Sequence, residues 1–369
     1  MMLSSQSGNN LLIRTDGDLD LGTGHIKRCI SLGKYIKRKG FNPIFLLRYG
    51  SDEARYLIQK NSFFYYEIPN FVDWFSEYEF ILKSTSVSFM GILFDFSHRK
   101  TTKVNHIFPK YFKQWSSLPS CVIDGFMGEC LTGNYSLSID LAVLPYAGSE
   151  DQRHVTSCKY LMGAKYFCLD SSYYSYLSQK KVIKRKVENI LITSGGNDSK
   201  GLTLKTVKAI NKIKDQSFHV TIVFGSMVSN QTKEMVRFVT KQGRHNYILI
   251  DELNSLAEKI FAADLVVSAS GLTKYECAAI GTPALLISIN KEHASFNRPF
   301  ENAGSSKHCG VITQLSVTKL SEEISLLVKS HFDRLKMSNN GAKLANGMGV
   351  EYISNYFLKI INNKGSTYV

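Results

Sequence analysis

Three short stretches of this 369-residue chain combine residue types that could do chemistry. The first runs Arg14-Thr15-Asp16-Gly17-Asp18-Leu19-Asp20-Leu21-Gly22-Thr23-Gly24-His25. Gly22 and Gly24 fall where an apolar strand pattern gives way to a helical one, and they let a backbone approach a ligand closely. N–H groups at a helix start favour an anion. An imidazole at His25 can serve as general base near neutral pH, or can equally cap and pack beside a tight turn. The dinucleotide fingerprint would need a third glycine where Lys27 stands, and a Walker loop is absent. Asp16, Asp18 and Asp20 alternate without the glycine and distal glutamate of a calcium loop, so they are read as shaping the loop, and no metal is expected.

The second stretch is Ser268-Ala269-Ser270-Gly271-Leu272-Thr273-Lys274-Tyr275-Glu276, closing at Gly281-Thr282-Pro283. Small residues at 268–271 would admit phosphate oxygens to a helix N-terminus. Glu276, one turn in, can accept hydrogen bonds from the two hydroxyls of a ribose, or can be a surface glutamate of a β-α-β unit. The third, Gly195-Gly196-Asn197, offers further backbone donors for a diphosphate.

These residues need strands and helices to hold them, and the chain repeats one grammar twice. An apolar strand at Asn10–Thr15 leads through the glycine loop to a stretch with Ile26, Cys29, Ile30, Gly33 and Ile36 on one helical face. Asn189–Ser194 leads through Gly195-Gly196 to a helix with Leu204, Val207, Ile210 and Ile213 on one face. Further strands are predicted at Pro43–Tyr49, Met90–Phe96, Cys121–Asp124 and Asp140–Leu144, and then at His219–Phe224, Tyr247–Asp251, Leu265–Ser268 and Ala284–Ile289. Buried apolar runs alternating with helices imply parallel sheets covered on both faces. The expected fold is α/β, two Rossmann-like domains facing across a cleft with His25 at its mouth. The first domain spans 1–175 and the second 186–345; a C-terminal helix (Glu351–Ile361) and tail occupy 346–369. The boundary lies in Ser171–Glu188, rich in tyrosine and lysine and without an apolar strand.

Composition narrows the class. At 44% hydrophobic and 21% charged residues the chain is neither disordered nor fibrous. No run of about 18 apolar residues marks a spanning helix, and the opening residues lack the features of a secretory signal. Seven scattered cysteines without a C-x-x-C pair signal neither a disulfide framework nor zinc, and a reduced, cytoplasmic setting is expected. The net charge of +14 suits phosphate-bearing partners. Its clusters, Lys34 to Lys39 and Lys180 to Lys186, also read as solvated helix ends or a linker. No nucleic-acid motif accompanies them, so no nucleic acid is expected as a partner.

Together the motifs resemble the UDP-sugar hydrolases of pseudaminic acid biosynthesis, relatives of the GT-B glycosyltransferases. The family opening, R-x-D and then G-x-G-H-x-x-R-C, is matched by Arg14, Asp16, Gly22, Gly24, His25, Arg28 and Cys29. Ile192 to Asp198 is similar to its G-G-x-D loop, and Ser270-Gly271 to Pro283 to the nucleotide-sugar donor signature. Val122-Ile123-Asp124 and Gly163-Ala164-Lys165-Tyr166 match weaker landmarks. The chain departs from the family at Ser97, Gly125, Cys168–Tyr174 and Glu292-His293, all near the family's sugar pocket. The resemblance implies a GT-B-like fold and hydrolysis of a UDP-linked amino-deoxy sugar at its anomeric C–O bond, releasing UDP and free sugar. It implies His25 as catalytic base, with Asp16, Gly22, Gly24, Arg28, Asp124, Gly195, Gly196, Asn197, Ser270, Gly271, Tyr275 and Glu276 binding substrate, and no cofactor. The alternative reading is an inverting nucleotide-sugar glycosyltransferase of surface polysaccharide or flagellin glycan synthesis, with weak peripheral association to an anionic membrane surface. A third is a sugar-nucleotide-binding subunit without chemistry.

Overall fold

The computed structural model describes residues 8–17, 24–48, 50–95, 108–123, 138–151, 158–251, 253–269 and 271–365. The chain forms two compact units, residues 1–170 with 348–369, and residues 171–347.

The first unit alternates β1 (Asn10–Thr15), α1 (Gly24–Arg38), β2 (Asn42–Leu47), α2 (Asp52–Lys60) and β3 (Phe64–Glu67). It continues with α3 (Glu77–Ser84), β4 (Gly91–Asp95), α4 (Phe108–Lys113), β5 (Ser120–Ile123), β6 (Leu141–Leu144) and β7 (Lys159–Met162). All strand pairings are parallel, in the order β3-β2-β1-β4-β5-β6-β7. Leu11, Leu12 and Ile13 have no exposed surface, because a central parallel strand is covered on both faces. Each such side chain contributes about 1.5–3 kcal/mol by leaving water. Ile26, Cys29, Ile30, Gly33 and Ile36 are the face that α1 buries, as their spacing predicts.

The second unit begins with the short α5 (Tyr174–Leu177), inside the segment read as a linker. It then runs β8 (Asn189–Thr193), α6 (Leu202–Ile210), β9 (His219–Val223), α7 (Asn230–Lys241), β10 (Asn246–Ile250), α8 (Ala257–Ala262) and β11 (Leu265–Ala269). After these come α9 (Thr273–Ile280), β12 (Ala284–Ser288), α10 (Lys291–Asn302), β13 (Lys307–Val311), α11 (Val317–Lys329) and α12 (His331–Leu344). The sheet order is β10-β9-β8-β11-β12-β13, again parallel. The final helix, α13 (Gly349–Gly365), returns to the first unit, where Val350, Ile353, Phe357 and Ile361 join the core beside Ile30 and Ile36.

Three strands, β3, β7 and β13, escape the sequence reading. All lie at sheet edges, are short, and are mostly half-buried or exposed. The basic run before β8 is also more than a solvated face. Arg334, with no exposed surface, donates to the carbonyls of Lys184 and Arg185 and to those of Leu327 and Val328 at the end of α11. Lys181 donates to the carbonyls of Phe261 and Ala263. Among the described residues no helix is long and apolar enough to cross a membrane.

Candidate active site

In each sheet the chain first builds outward to one side of its opening strand and then returns to build on the other. The reversal falls between β1 and β4 in the first unit and between β8 and β11 in the second. Open parallel sheets bind ligands at such switch points, beyond the carboxyl ends of the strands. Of the residues singled out from the sequence, Asp16, Gly24, His25 and Arg28 follow β1, and Gly195, Gly196, Asn197, Gly271 and Glu276 follow β8 and β11.

In the first unit Asp95 ends β4, paired in register with Thr15 at the end of β1. His25 is the second residue of α1, and Arg28 lies one turn on. His25 Nδ1 is 2.7 Å from Asp95 Oδ1. Arg28 clamps the same carboxylate from Nε at 2.6 Å to Oδ2 and from Nη2 at 2.5 Å to Oδ1. Cys29 Sγ adds a donor 3.6 Å from Oδ2. Burial alone would raise the Asp95 carboxyl, but the Arg28 charge and then the interaction with His25 outweigh it and hold the group far below the usual carboxylate range. The carboxylate therefore stays ionised throughout the neutral range. Its stabilising contribution is complete above the ordinary aspartate value of about 4 and is lost only in strong acid.

An ionised carboxylate only accepts, so the proton on His25 sits on Nδ1 and the Nε2 lone pair is left to a ligand. The His25 side chain is 22% exposed while Asp95 is fully buried, so the imidazole alone of this pair can meet a substrate. A general base with a buried orienter is the result. Asp95 was missed as a functional residue. Its signal in the sequence was an acid closing the apolar run Gly91-Ile92-Leu93-Phe94.

Behind this pair lies a buried ion network. Glu77, at the start of α3, receives Arg14 Nε at 3.2 Å, Arg48 Nε at 2.5 Å and the Tyr111 hydroxyl at 2.8 Å. Trp74 covers both guanidinium groups, at 5.6 and 4.8 Å. Asp16, expected to bind substrate, spends one oxygen on Arg14 Nη1 (2.7 Å) and the Arg48 backbone N–H (2.9 Å), and is 1% exposed. The geometry gives it the task of fixing the ends of β1 and β2. Arg28 likewise orients Asp95. Gly24 opens α1. Gly22 and Asp124 lie outside the described residues, as do Ser97 and Gly125.

In the second unit Gly195 follows β8 in the left-handed region, at φ +81°. A Cβ on Gly225 would collide with the Gly195 carbonyl, so the loop from β9 packs against this turn only as glycine. Gly196 and Asn197 are exposed, and their backbone N–H groups have no partner among the described residues. Asp198 caps α6 through the N–H groups of Leu202 (2.7 Å) and Thr203 (2.9 Å), so that helix start is occupied from within. Across the switch point Gly271 precedes α9, and Glu276, half-buried, sits in its first turn. Ser270 lies outside the described residues. Tyr275 is 2% exposed, with its ring edge-on to Phe300 at 4.8 Å, and belongs to the core.

Two Rossmann-like units, each with a switch point in its parallel sheet, define a GT-B-like α/β protein. Residues 189–349 match the model of the glycosyltransferase family 28 C-terminal domain. The spore coat polysaccharide biosynthesis protein SpsG of Bacillus subtilis is 27% identical over 169 residues, 46% of this chain and 49% of SpsG. The chain thus spans about half the length of the curated relatives it matches. Among solved structures, MurG of Acinetobacter baumannii superposes with a TM-score of 0.70 at 14% identity, over 95% of this chain and 100% of MurG. The UDP-GlcNAc 2-epimerase of Neisseria meningitidis, solved with UDP-GlcNAc, gives 0.62 at 14% identity over 95% and 100%. These likenesses show the GT-B fold.

They also correct the reading drawn from the resemblance. The family model that matches is a glycosyltransferase domain, and the structures named above are MurG and a 2-epimerase, so the resemblance to hydrolases of pseudaminic acid biosynthesis is not borne out. Release of a free sugar to water is set aside. The confusion has a source in the sequence: glycine loops and a carboxylate one turn into a helix read as nucleotide-handling features, and such features do not encode the acceptor.

Proposed function

We propose that the protein is an inverting glycosyltransferase that moves a sugar from a uridine diphosphate donor to a hydroxyl acceptor, in synthesis of a surface polysaccharide or flagellin glycan. The observation that carries the reading is the 2.7 Å His25–Asp95 pair at the carboxyl edge of the first sheet. The match of the second unit to a glycosyltransferase domain supports the donor half, and the name of the SpsG relative supports a polysaccharide product.

In this mechanism His25 Nε2 takes the proton of the acceptor hydroxyl as its oxygen bonds to the anomeric carbon. The bond from that carbon to the UDP oxygen breaks on the opposite face, and its electron pair leaves with the β-phosphate. Attack opposite the leaving group inverts the anomeric centre. General-base help contributes roughly 10²–10⁴-fold. Stabilisation of the departing diphosphate falls to the Gly196 and Asn197 N–H groups and the start of α9, with no separate acid required.

Purified protein incubated with UDP-sugars, with and without hydroxyl acceptors, tests this directly. Acceptor-dependent UDP release is expected. Release in water alone, conversion to a 2-epimer without UDP release, or binding without turnover would each overturn it.

The donor half makes its own prediction. Glu276→Ala should weaken UDP binding about ten- to a hundred-fold, because a hydrogen bond to a charged acceptor is worth about 1.5–3 kcal/mol. Binding of 2′,3′-dideoxy-UDP should change far less. Equal losses for both ligands in calorimetric titrations would show that Glu276 does not read the ribose.

A further inference from the structure

Lys274, in the first turn of α9, is 2% exposed. Its ammonium donates to the Phe296 carbonyl at 3.0 Å and to Asn297 Oδ1 at 3.2 Å, both on α10. The rings of Phe300, Tyr275 and Phe296 surround it at 5.2, 5.8 and 5.9 Å. Asn297 in turn donates to Ser288 Oγ at the end of β12 (2.9 Å), which lies 2.8 Å from His308 Nε2 on β13. A polar chain thus runs from α9 through α10 to the last two strands of the sheet.

The chain holds two basic groups and no carboxylate. Charged or titratable groups on the elements around Lys274 are Tyr275, Glu276 and Cys277 on α9 itself, Lys291, Glu292, His293, Arg298 and Glu301 on α10, and Lys307, His308 and Cys309 on β13. On the other flanks of α9 are Lys181, which precedes β8, Tyr174 and Tyr176 of α5, Glu258 and Lys259 of α8, and His331, Asp333, Arg334, Lys336 and Lys343 of α12. None forms an ion pair with Lys274 among the described residues. A buried ammonium is costly unless it meets an opposite charge, and neutral acceptors and ring faces offset only part of that cost. It also sits in the first turn of α9, at the positive pole of the helix dipole, and side chains on a helix lean toward that end. Both positive features are relieved by the same thing, an anion at the start of α9.

We infer that Lys274 is an electrostatic positioning residue of the nucleotide site, whose missing counter-charge is the diphosphate of the ligand, so that a nucleoside diphosphate binds together with a proton. This rests on the donor-site reading above. Burial pushes the Lys274 ammonium down to about 7, so the free protein carries it largely neutral at pH 8. A nearby diphosphate favours the charged form and draws a proton on. The same ammonium holds α10 to α9, so ligand binding tightens the joint between these helices.

The test is calorimetric titration of UDP at pH 8 in buffers of different ionisation enthalpy. That pH is well above the phosphate value of about 6, so the ligand itself contributes no proton. Wild-type protein should take up roughly half a proton per UDP, and its affinity should fall about tenfold from pH 7 to pH 9. K274M should bind more weakly, with no proton uptake and a flat pH profile. N297D, which places a carboxylate beside the ammonium, should keep the lysine charged in the free protein and also abolish uptake. It covers the case in which K274M fails to fold. UDP binding by wild type without proton uptake, or equal uptake in wild type and either variant, would overturn the inference and leave the donor-site reading standing. Failure of wild type to bind UDP would overturn both.

Discussion

His25→Asn lowers acceptor-dependent kcat by at least about 100-fold while leaving the UDP Kd nearly unchanged. The expectation follows from the separation of tasks: His25 belongs to the first unit, and the proposed nucleotide-binding groups belong to the second. Asparagine keeps a polar group near Asp95 but has no lone pair of suitable basicity for the acceptor proton. Asp95→Asn should cost a comparable factor by a different route. With the charge removed, Nδ1 no longer has to carry the proton, so the reactive tautomer is no longer enforced, and Arg28 loses both of its hydrogen bonds to a carboxylate. The two variants therefore differ in pH dependence: Asp95→Asn shifts the profile of the base, whereas His25→Asn removes it. Single-turnover rates across pH 6–9, with UDP titrations alongside, separate them. Near-normal turnover in His25→Asn would end its assignment as the base.

The second large effect is on stability. Glu77→Ala should lower the unfolding free energy of the first unit by about 3–5 kcal/mol, the usual cost of deleting one member of a buried ion network. The fully buried Glu77 carboxylate is shared by Arg14, Arg48 and Tyr111, so its loss leaves two guanidinium groups inside the protein without their common acceptor. Glu77→Gln should lose less, because an amide oxygen still accepts one of these bonds. Both tryptophans of the chain, Trp74 and Trp115, lie in the first unit, so urea unfolding followed by their fluorescence reports this unit. A shift below about 1 kcal/mol for Glu77→Ala would mean that the network is solvated in solution.

The two Rossmann-like units were legible because the signals behind them are local. Apolar strand runs such as Leu11 to Ile13 and Leu265 to Val267 are short, and the helical face of α1 follows a 3.6-residue period. By contrast, α6 ends at Ile210, before Ile213, and leaves Leu204 half-buried. His25 and Glu276 drew notice from the sequence for a related reason, since each stands a few residues after glycines that follow an apolar strand run. Three of the four edge strands, β3, β7 and β13, were not legible; the fourth, β10, was. Tertiary structure decided the rest. Asp95 is 70 positions from His25, and only the pairing of β4 with β1 brings the carboxylate to the imidazole. Glu77 joins Arg14 and Arg48 across 63 and 29 positions in the same way. The burial of Lys274 is set by α10, whose Phe296 carbonyl and Asn297 side chain accept from its ammonium. Period and turn chemistry act between residues a few positions apart, and they fix strands, helices and the loops between them. Charge pairing and desolvation act through space, so the partner of each ionisable group, and with it the chemistry, is set only when the sheets assemble.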